Sequence, residues 1–191
     1  KYAIDTLCSK ENTVCYLDAG DGGWLGWENN MTEFVNQVKE LGPETTKHLR
    51  GFSANVSNYN PLGEVCEALY DSDTAVKPSN LKDLSDKCPN YTDPCDLSSQ
   101  YNYGYNSLSY GEYLVRNMKG ESIPFSSPDG PKVVIDTSRN GVAEVRNGKQ
   151  CSRWCNPLMG KESGKAVGIG HHPASHDQLE KIFGRVPEWL D

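Results

Sequence analysis

Residues 14–27, VCYLDAGDGGWLGW, are the most informative stretch of this chain for its fold class. Residues 14–18 combine β-branched, aromatic and aliphatic side chains, which predicts a short buried strand. The glycines of residues 19–23 end that strand. A polar side chain at the end of such a strand faces the cleft in parallel barrel folds, so Asp18 and Asp21 become candidate site residues.

Two tryptophans, Trp24 and Trp27, follow the glycine turn in a stretch whose composition predicts a loop. A single tryptophan is most often buried in a core, but two beside glycines and acids favour an exposed platform on which the C–H faces of sugars stack. Asp18 and Asp21 have two interpretations as well. They act as acid/base groups and hydroxyl acceptors, or they cap a turn.

The elements on either side extend this pattern. Apolar residues recur at helical spacing over residues 30–41, and Gly42-Pro43 is a stop signal. Strands are predicted over residues 51–58 and 132–136, and a further helix over residues 110–118. Strands that alternate with helices favour an α/β architecture, in which polar residues gather just after the strands.

The cysteines and the irregular middle of the chain predict disulfides. Residues 61–105 are rich in Asp, Ser, Asn and Pro, which predicts a long disulfide-pinned surface insertion. The seven cysteines lack the doubled C-x-x-C spacing of structural zinc sites. We predict bonds that each close a short loop, with one cysteine left over: Cys8–Cys15 and Cys88–Cys95, and Cys151 or Cys155 as the odd residue.

Composition limits the class of protein. The chain has 191 residues with Lys+Arg 19 against Asp+Glu 26, a net charge of -7, which suits one domain or part of one over residues 1–191. The acidic balance argues against nucleic acid as a partner, and no apolar run is long enough for a membrane span. Three sequons indicate a secreted, extracellular glycoprotein, with glycans expected on Asn30 and Asn90 but not on Asn55, which lies in a predicted strand.

A histidine cluster over residues 171–176 is a candidate metal site. Adjacent histidines point in different directions, and the pattern fixes no acidic or thiol partner for them. We therefore expect neither a metal nor a cofactor.

Four stretches, in order, resemble glycoside hydrolase family six, the inverting cellobiohydrolases and endoglucanases that cleave β-1,4-glucan. They are residues 17–27, 51–60, 135–141 and 153–156. The resemblance implies a secreted hydrolase of β-1,4-glucan or cello-oligosaccharides, built on a distorted parallel β/α barrel of the cellobiohydrolase II type. The chain would correspond to the C-terminal half of that catalytic domain.

The resemblance also implies roles for individual residues. Four match substrate-binding positions: Trp24, Trp27, Asn58 and Trp154. Arg139 matches an arginine beside the catalytic carboxylates, where its charge tunes their protonation; the alternative is a surface salt bridge. Asp136, in the same motif, is interpreted as structural or as the partner of Arg139.

The departures from the family pattern set further expectations. Asp21 stands where the family commonly has a substrate-binding histidine, and we expect the general acid on a segment outside this sequence. At the other end, Arg185 and Glu188 match substrate-binding positions and Asp191 matches the catalytic base; the alternative there is an ordinary polar helix end. The rival function is a non-catalytic glycoprotein that binds carbohydrate or self-associates in an extracellular structure.

Overall fold

Parallel strands form the sheet of the computed structural model, which describes residues 1–56, 60, 62, 102–104, 106–137 and 190. A π-helical turn, Ile4–Cys8, precedes the first strand. The remaining elements follow in chain order: β1 Cys15–Asp18, α1 Gly22–Leu25, α2 Glu28–Glu40, α3 Pro43–Thr46, β2 Leu49–Ala54, α4 Ser107–Gly120 and β3 Lys132–Ile135.

The sheet has the strand order β1-β2-β3, and both strand pairs are parallel. Parallel neighbours need a crossover connection, and α1 to α3 supply it between β1 and β2. Residue 51 of β2 must be glycine, because an added Cβ would lie 1.8 Å from the Lys132 carbonyl oxygen of β3. The α/β architecture predicted from the alternating elements is therefore confirmed for the part of the chain that the structure describes.

The core lies where α2 and α4 pack on this sheet. Phe52, at the centre of β2, is fully buried, and the rings of Phe34 and Phe125 pack edge-on against it at centroid distances of 5.8 and 5.6 Å. The two helices contribute buried aliphatic and sulfur-containing residues: Met31, Val35 and Val38 from α2, and Leu114, Val115 and Met118 from α4. Burial of each large side chain stabilises the fold by about 1.5–3 kcal/mol.

Both helices predicted from the sequence are present. α2 runs over Glu28–Glu40 and ends where Gly42 takes a φ of 87°, a left-handed value that favours glycine. α4 runs over Ser107–Gly120, beyond both ends of the predicted residues 110–118. It starts earlier because the Asn106 side chain accepts a hydrogen bond from the backbone N–H of Ser109, which caps the first turn.

The strand predictions are correct in position but differ in their bounds. β2 spans Leu49–Ala54 rather than residues 51–58, because Asn55 adopts a φ of 64° and the strand cannot continue through a left-handed residue. The prediction of a loop around Trp24 was wrong. These residues form the one-turn helix α1, which Asp21 caps.

The disulfide Cys8–Cys15 is present as predicted, with a Cα–Cα distance of 5.6 Å. The predicted pair Cys88–Cys95 and the odd cysteine lie outside the described residues, as does most of the predicted insertion. Near the end of that insertion, Asn102 is fully buried, so the prediction of a surface position is wrong for this residue. Within the described ranges, the helices are too short or too polar to cross a membrane.

Candidate active site

The carboxyl ends of the three strands meet at one edge of the sheet and bring polar residues together. Asp18 ends β1, while Asn55 and Asp136 directly follow β2 and β3. Backbone hydrogen bonds extend the pairing past the strands: the Asn55 N–H donates to the Gly20 carbonyl at 2.7 Å, and the Asp136 N–H donates to the Ala54 carbonyl at 3.0 Å. This edge is where parallel α/β folds place their sites.

Asn55 connects the loops at this edge. Its amide Nδ2 donates to the Asp136 carbonyl at 3.0 Å, and its Oδ1 accepts from the backbone N–H of Asn60 at 2.8 Å. The side chain is 1% exposed, so both ends of the amide act within the protein. The sequence predicted Asn55 as an unmodified sequon inside the strand over residues 51–58 and did not indicate this connecting role. The available signal was that asparagine tolerates left-handed backbone, which ends a strand.

Asp21 is a structural residue in this geometry. Its Oδ1 accepts from the Gly23 N–H at 2.8 Å, as the cap of α1, and from Asn60 Nδ2 at 3.3 Å. The residue is 7% exposed. Of the two interpretations of Asp21, the cap is therefore the one that the structure shows, and its contact with sugar stays a prediction.

Asp18 differs from Asp21 in its exposure. Its Oδ1 accepts from the Gly20 N–H at 2.8 Å, which shapes the turn after β1, yet the residue as a whole is exposed. A carboxylate at that position offers acceptor oxygens to a molecule lying along the sheet edge.

Tyr110, which the sequence did not indicate as a site residue, forms a hydrogen bond with the turn after β1 at this edge. Its hydroxyl donates to the Ala19 carbonyl, and the residue is 1% exposed. Burial raises the pKa of this hydroxyl well above its ordinary value, and the negative charges of Asp21 and Asp18 raise that pKa further. Tyr110 therefore remains a neutral hydrogen-bond donor.

The two tryptophans lie directly after this edge and differ in exposure. Trp24 is 69% exposed, whereas Trp27 is 37% exposed and its indole N–H donates to the Gly23 carbonyl at 3.0 Å. The Trp24 carbonyl accepts from Asn30 Nδ2 at 2.8 Å. Both residues are therefore partly accessible to solvent, and Trp24 is the more exposed of the two.

The other predicted site residues lie outside the described residues: Asn58, Arg139, Trp154, Arg185, Glu188 and Asp191, together with the glycosylation site Asn90. Asn30 is half-buried in the first turns of α2. Over the residues that the structure describes, no group of three or more His, Cys, Asp or Glu side chains is placed to hold a metal ion.

Comparisons with a family model and with curated proteins point to the same family. The family model for glycosyl hydrolases family 6 matches residues 1–86. The 1,4-beta-D-glucan cellobiohydrolase CEL6B of Podospora anserina is 39% identical over 79% of this chain and 29% of its own length. CEL6C of the same fungus is 28% identical over 94% of this chain and 35% of its own length.

A solved structure supports the fold. Cellobiohydrolase Cel6A from Humicola insolens, determined with a cellobio-derived isofagomine, matches with a TM-score of 0.60 and 20% identity. The match covers 100% of this chain and 39% of that structure. The chain thus shares the fold of that cellobiohydrolase structure. The chain belongs to glycoside hydrolase family 6, and it spans 35% or less of the length of the first curated relatives it matches.

Proposed function

We propose that the protein acts in the hydrolysis of β-1,4-glucan as a secreted family 6 enzyme, with cellulose or cello-oligosaccharides as its substrate. The observation that carries the proposal is the exposure of Trp24, 69%, directly after the polar carboxyl edge of a parallel sheet. A ring of this size exposed to water loses the favourable free energy of burial unless a ligand covers it. The names of the relatives agree with a glucan as that ligand.

The roles of single residues belong to this proposal. Trp24 and Trp27 stack on glucosyl faces, and Asp18 accepts hydrogen bonds from sugar hydroxyls. The family resemblance supports further binding contacts from residues farther along the chain: Asn58, Trp154, Arg185 and Glu188. Asp21 orients α1 through its cap and contacts sugar only at its exposed margin.

The proposed reaction is inverting hydrolysis. One carboxylic acid protonates the leaving oxygen while a second carboxylate activates a water molecule, and the two groups lie about 6.5–9.5 Å apart to admit that water. We assign the base to Asp191, with Arg139 tuning the protonation of the carboxylates by its charge. Both assignments rest on the family resemblance.

The proposal includes a distorted parallel β/α barrel. In that barrel, β1, β2 and β3 would be three neighbouring strands. Support comes from a parallel bridge between Val133 of β3 and Leu190, which pairs β3 with a second partner besides β2. A barrel requires every strand to have two such neighbours.

Binding and hydrolysis measurements test the proposal. We expect the full chain to bind cellohexaose in a calorimeter and Trp24→Ala to weaken that binding several-fold, because the stacked face is lost. Tyr2→Ala is the matched control, since Tyr2 is also a highly exposed aromatic, at 83%, but lies before the π-helical turn. Unchanged affinity in Trp24→Ala would remove the stacking role of Trp24, and a parent chain that binds no cellohexaose would remove the glucan assignment.

Hydrolysis separates the enzyme from the rival, a non-catalytic sugar-binding glycoprotein. Cleavage of cellohexaose with an α-anomeric product in the NMR spectrum would support an inverting enzyme. Because the general acid is expected on a segment outside this sequence, binding without cleavage favours the rival only when it is measured on a longer protein that includes that segment.

Glycan mapping tests the predicted glycosylation sites. In a secretory host we expect glycopeptides that carry modified Asn30 and Asn90 and an unmodified Asn55, because Asn55 is 1% exposed with its amide engaged on both sides. A modified Asn55 in folded, secreted protein would contradict the structure of this edge.

A further inference from the structure

We propose that residues 102–104, which we call the clamp segment, position the tryptophan platform by holding α1 in its binding conformation. This inference rests on the proposed function, because it concerns the same two tryptophans. The clamp segment lies about 80 residues from α1 in sequence, as the separation of Asn102 and Gly22 shows. Its effect on the site is therefore a consequence of tertiary structure alone.

α1 does not hold its own conformation. It has four residues, Gly22–Leu25, and two of them are glycine. A single helical turn is unstable in water, and glycine makes it less stable because it loses more conformational entropy than any other residue. Trp24, at 69% exposure, adds little packing that would order the turn.

The clamp segment supplies hydrogen bonds at both ends of α1. Asn102 Nδ2 donates to the Gly22 carbonyl at 2.9 Å, and the Tyr103 N–H donates to the Gly26 carbonyl at 2.8 Å. Asn102 Oδ1 accepts from the Gly104 N–H at 2.7 Å, so both ends of this fully buried amide are satisfied. Loss of the side chain would leave buried backbone groups without these partners, which is unfavourable. The backbone bridge between Trp27 and Asn102 connects the second tryptophan to the same segment.

Glycines let the two backbones approach closely. An added Cβ on Gly22 would lie 1.8 Å from the Gly104 carbonyl oxygen, and one on Gly26 would lie 2.1 Å from Asn102 Oδ1. A Cβ on Gly104 would lie 2.9 Å from the Gly22 Cα and 3.0 Å from the Gly26 Cα. Real Cβ atoms do not approach so closely, so any side chain at these positions pushes the clamp segment away from α1.

The clamp segment is itself attached to α4. The ring of Tyr103 stacks on Tyr113 with centroids 4.7 Å apart and planes inclined by 20°. Tyr110 of the same helix also lies close to the segment, since its Cδ2 is 3.0 Å from the position that a Cβ on Gly104 would take. The segment thus connects a one-turn helix of low intrinsic stability to a 14-residue helix in the core.

The expected consequence is a preorganised platform. A ligand that must order α1 when it binds loses affinity by the free energy of that ordering, which a folded clamp has already supplied. Release of the clamp should therefore weaken cellohexaose binding by about tenfold, without the removal of any sugar-contacting group.

The experiment uses the full chain labelled with 5-fluorotryptophan. Its Trp24 resonance is assigned with Trp24→Phe, and cellohexaose affinity is measured by calorimetry. In Asn102→Ala and Gly104→Ala we expect the Trp24 fluorine resonance to move toward its position in the unfolded chain, and the affinity to fall about tenfold. Gly104→Ala is the second variant because it leaves the Asn102 side chain in place.

Met118→Ala is the control for a general loss of stability. Met118 is fully buried in α4 and lies toward the amino edge of the sheet, since the neighbouring Lys119 side chain lies against Gly130, just before β3. We expect this variant to keep both the Trp24 resonance and the affinity. Folded Asn102→Ala and Gly104→Ala with an unchanged Trp24 resonance overturn the inference, whatever their affinity. A parent chain that binds no cellohexaose instead overturns the proposed function, before any substitution is made.

Discussion

Single residues with unusual backbone or exposure determine the shape of the sheet edge. Asn55 takes a φ of 64° and uses its amide to join the loop after β3 to Asn60. Trp24 and Trp27 follow β1 within one short stretch, yet one ring is mostly exposed and the other mostly covered. These two features lead to separate predictions.

Asn55→Ala should lower the free energy of unfolding by about 2–4 kcal/mol, because it removes buried hydrogen bonds and places a Cβ-bearing apolar residue in left-handed backbone. Asn55→Gly should be less harmful by about 1 kcal/mol, because glycine adopts that backbone without strain. Urea unfolding of both variants measures the difference. Equal losses would show that the left-handed backbone contributes nothing.

Trp27→Ala should weaken cellohexaose binding several-fold and lower stability more than Trp24→Ala does. Trp27 is 37% exposed and donates its indole N–H to Gly23, whereas Trp24 at 69% exposure should change stability by no more than about 0.5 kcal/mol. Leu17→Ala is the comparison for core packing, with an expected loss of about 2 kcal/mol, because Leu17 packs against the core cluster. Thermal unfolding that ranks Trp24→Ala as the most harmful of the three would place that ring in the core instead.

At the scale of elements, the ends of helices decide how each one fits the sheet. α2 ends at a glycine with positive φ, and α1 begins with the Asp21 cap. α4 begins with Asn106, a side chain that is 1% exposed and accepts from the Ser109 N–H at 2.8 Å. Because α4 carries Tyr110 and Tyr113 in its first two turns, its start also sets the position of the groups beneath the site.

Asn106→Ala should lower the free energy of unfolding by about 1–2 kcal/mol, the usual effect of losing an N-cap. Asn106→Ser should recover part of that loss, because serine is also a good cap. Chemical denaturation checks the order of the three proteins. A serine variant no better than the alanine variant would mean that the cap is not the source of the effect.

At the scale of the whole molecule, one buried phenol connects α4 to the end of β1. The Tyr110 hydroxyl donates to the Ala19 carbonyl across 91 residues of chain. Its pKa is raised in the folded state by burial and by Asp21 and Asp18, so the folded protein holds this proton more tightly than the unfolded chain does. Linkage then requires that its contribution to stability is complete below the unfolded pKa of about 10 and is lost as pH rises toward the folded pKa.

Tyr110→Phe should therefore lower stability by about 1–3 kcal/mol at neutral pH, where it leaves the buried Ala19 carbonyl unsatisfied. Above about pH 10 its stability should fall less steeply with pH than that of the parent. Urea unfolding between neutral and strongly alkaline pH gives both values. Tyr113→Phe is the control: burial raises the pKa of Tyr113 to about 12, so it titrates in the same direction but without the bond to Ala19. Identical pH slopes for parent and Tyr110→Phe would contradict the raised pKa.

Local sequence patterns were sufficient to predict four features: the strand after Val14, the helix over residues 30–41, the disulfide Cys8–Cys15 and the family. These are readable because hydrophobic periodicity, short loop closure and motifs act between near neighbours in the chain. Three features became visible only in the folded chain: Trp24 lies on a one-turn helix, Asp21 caps that helix, and Asn102 holds it. α1 is too short and too rich in glycine to be stable alone, so its conformation depends on hydrogen bonds from a segment about 80 residues away, which no local pattern encodes.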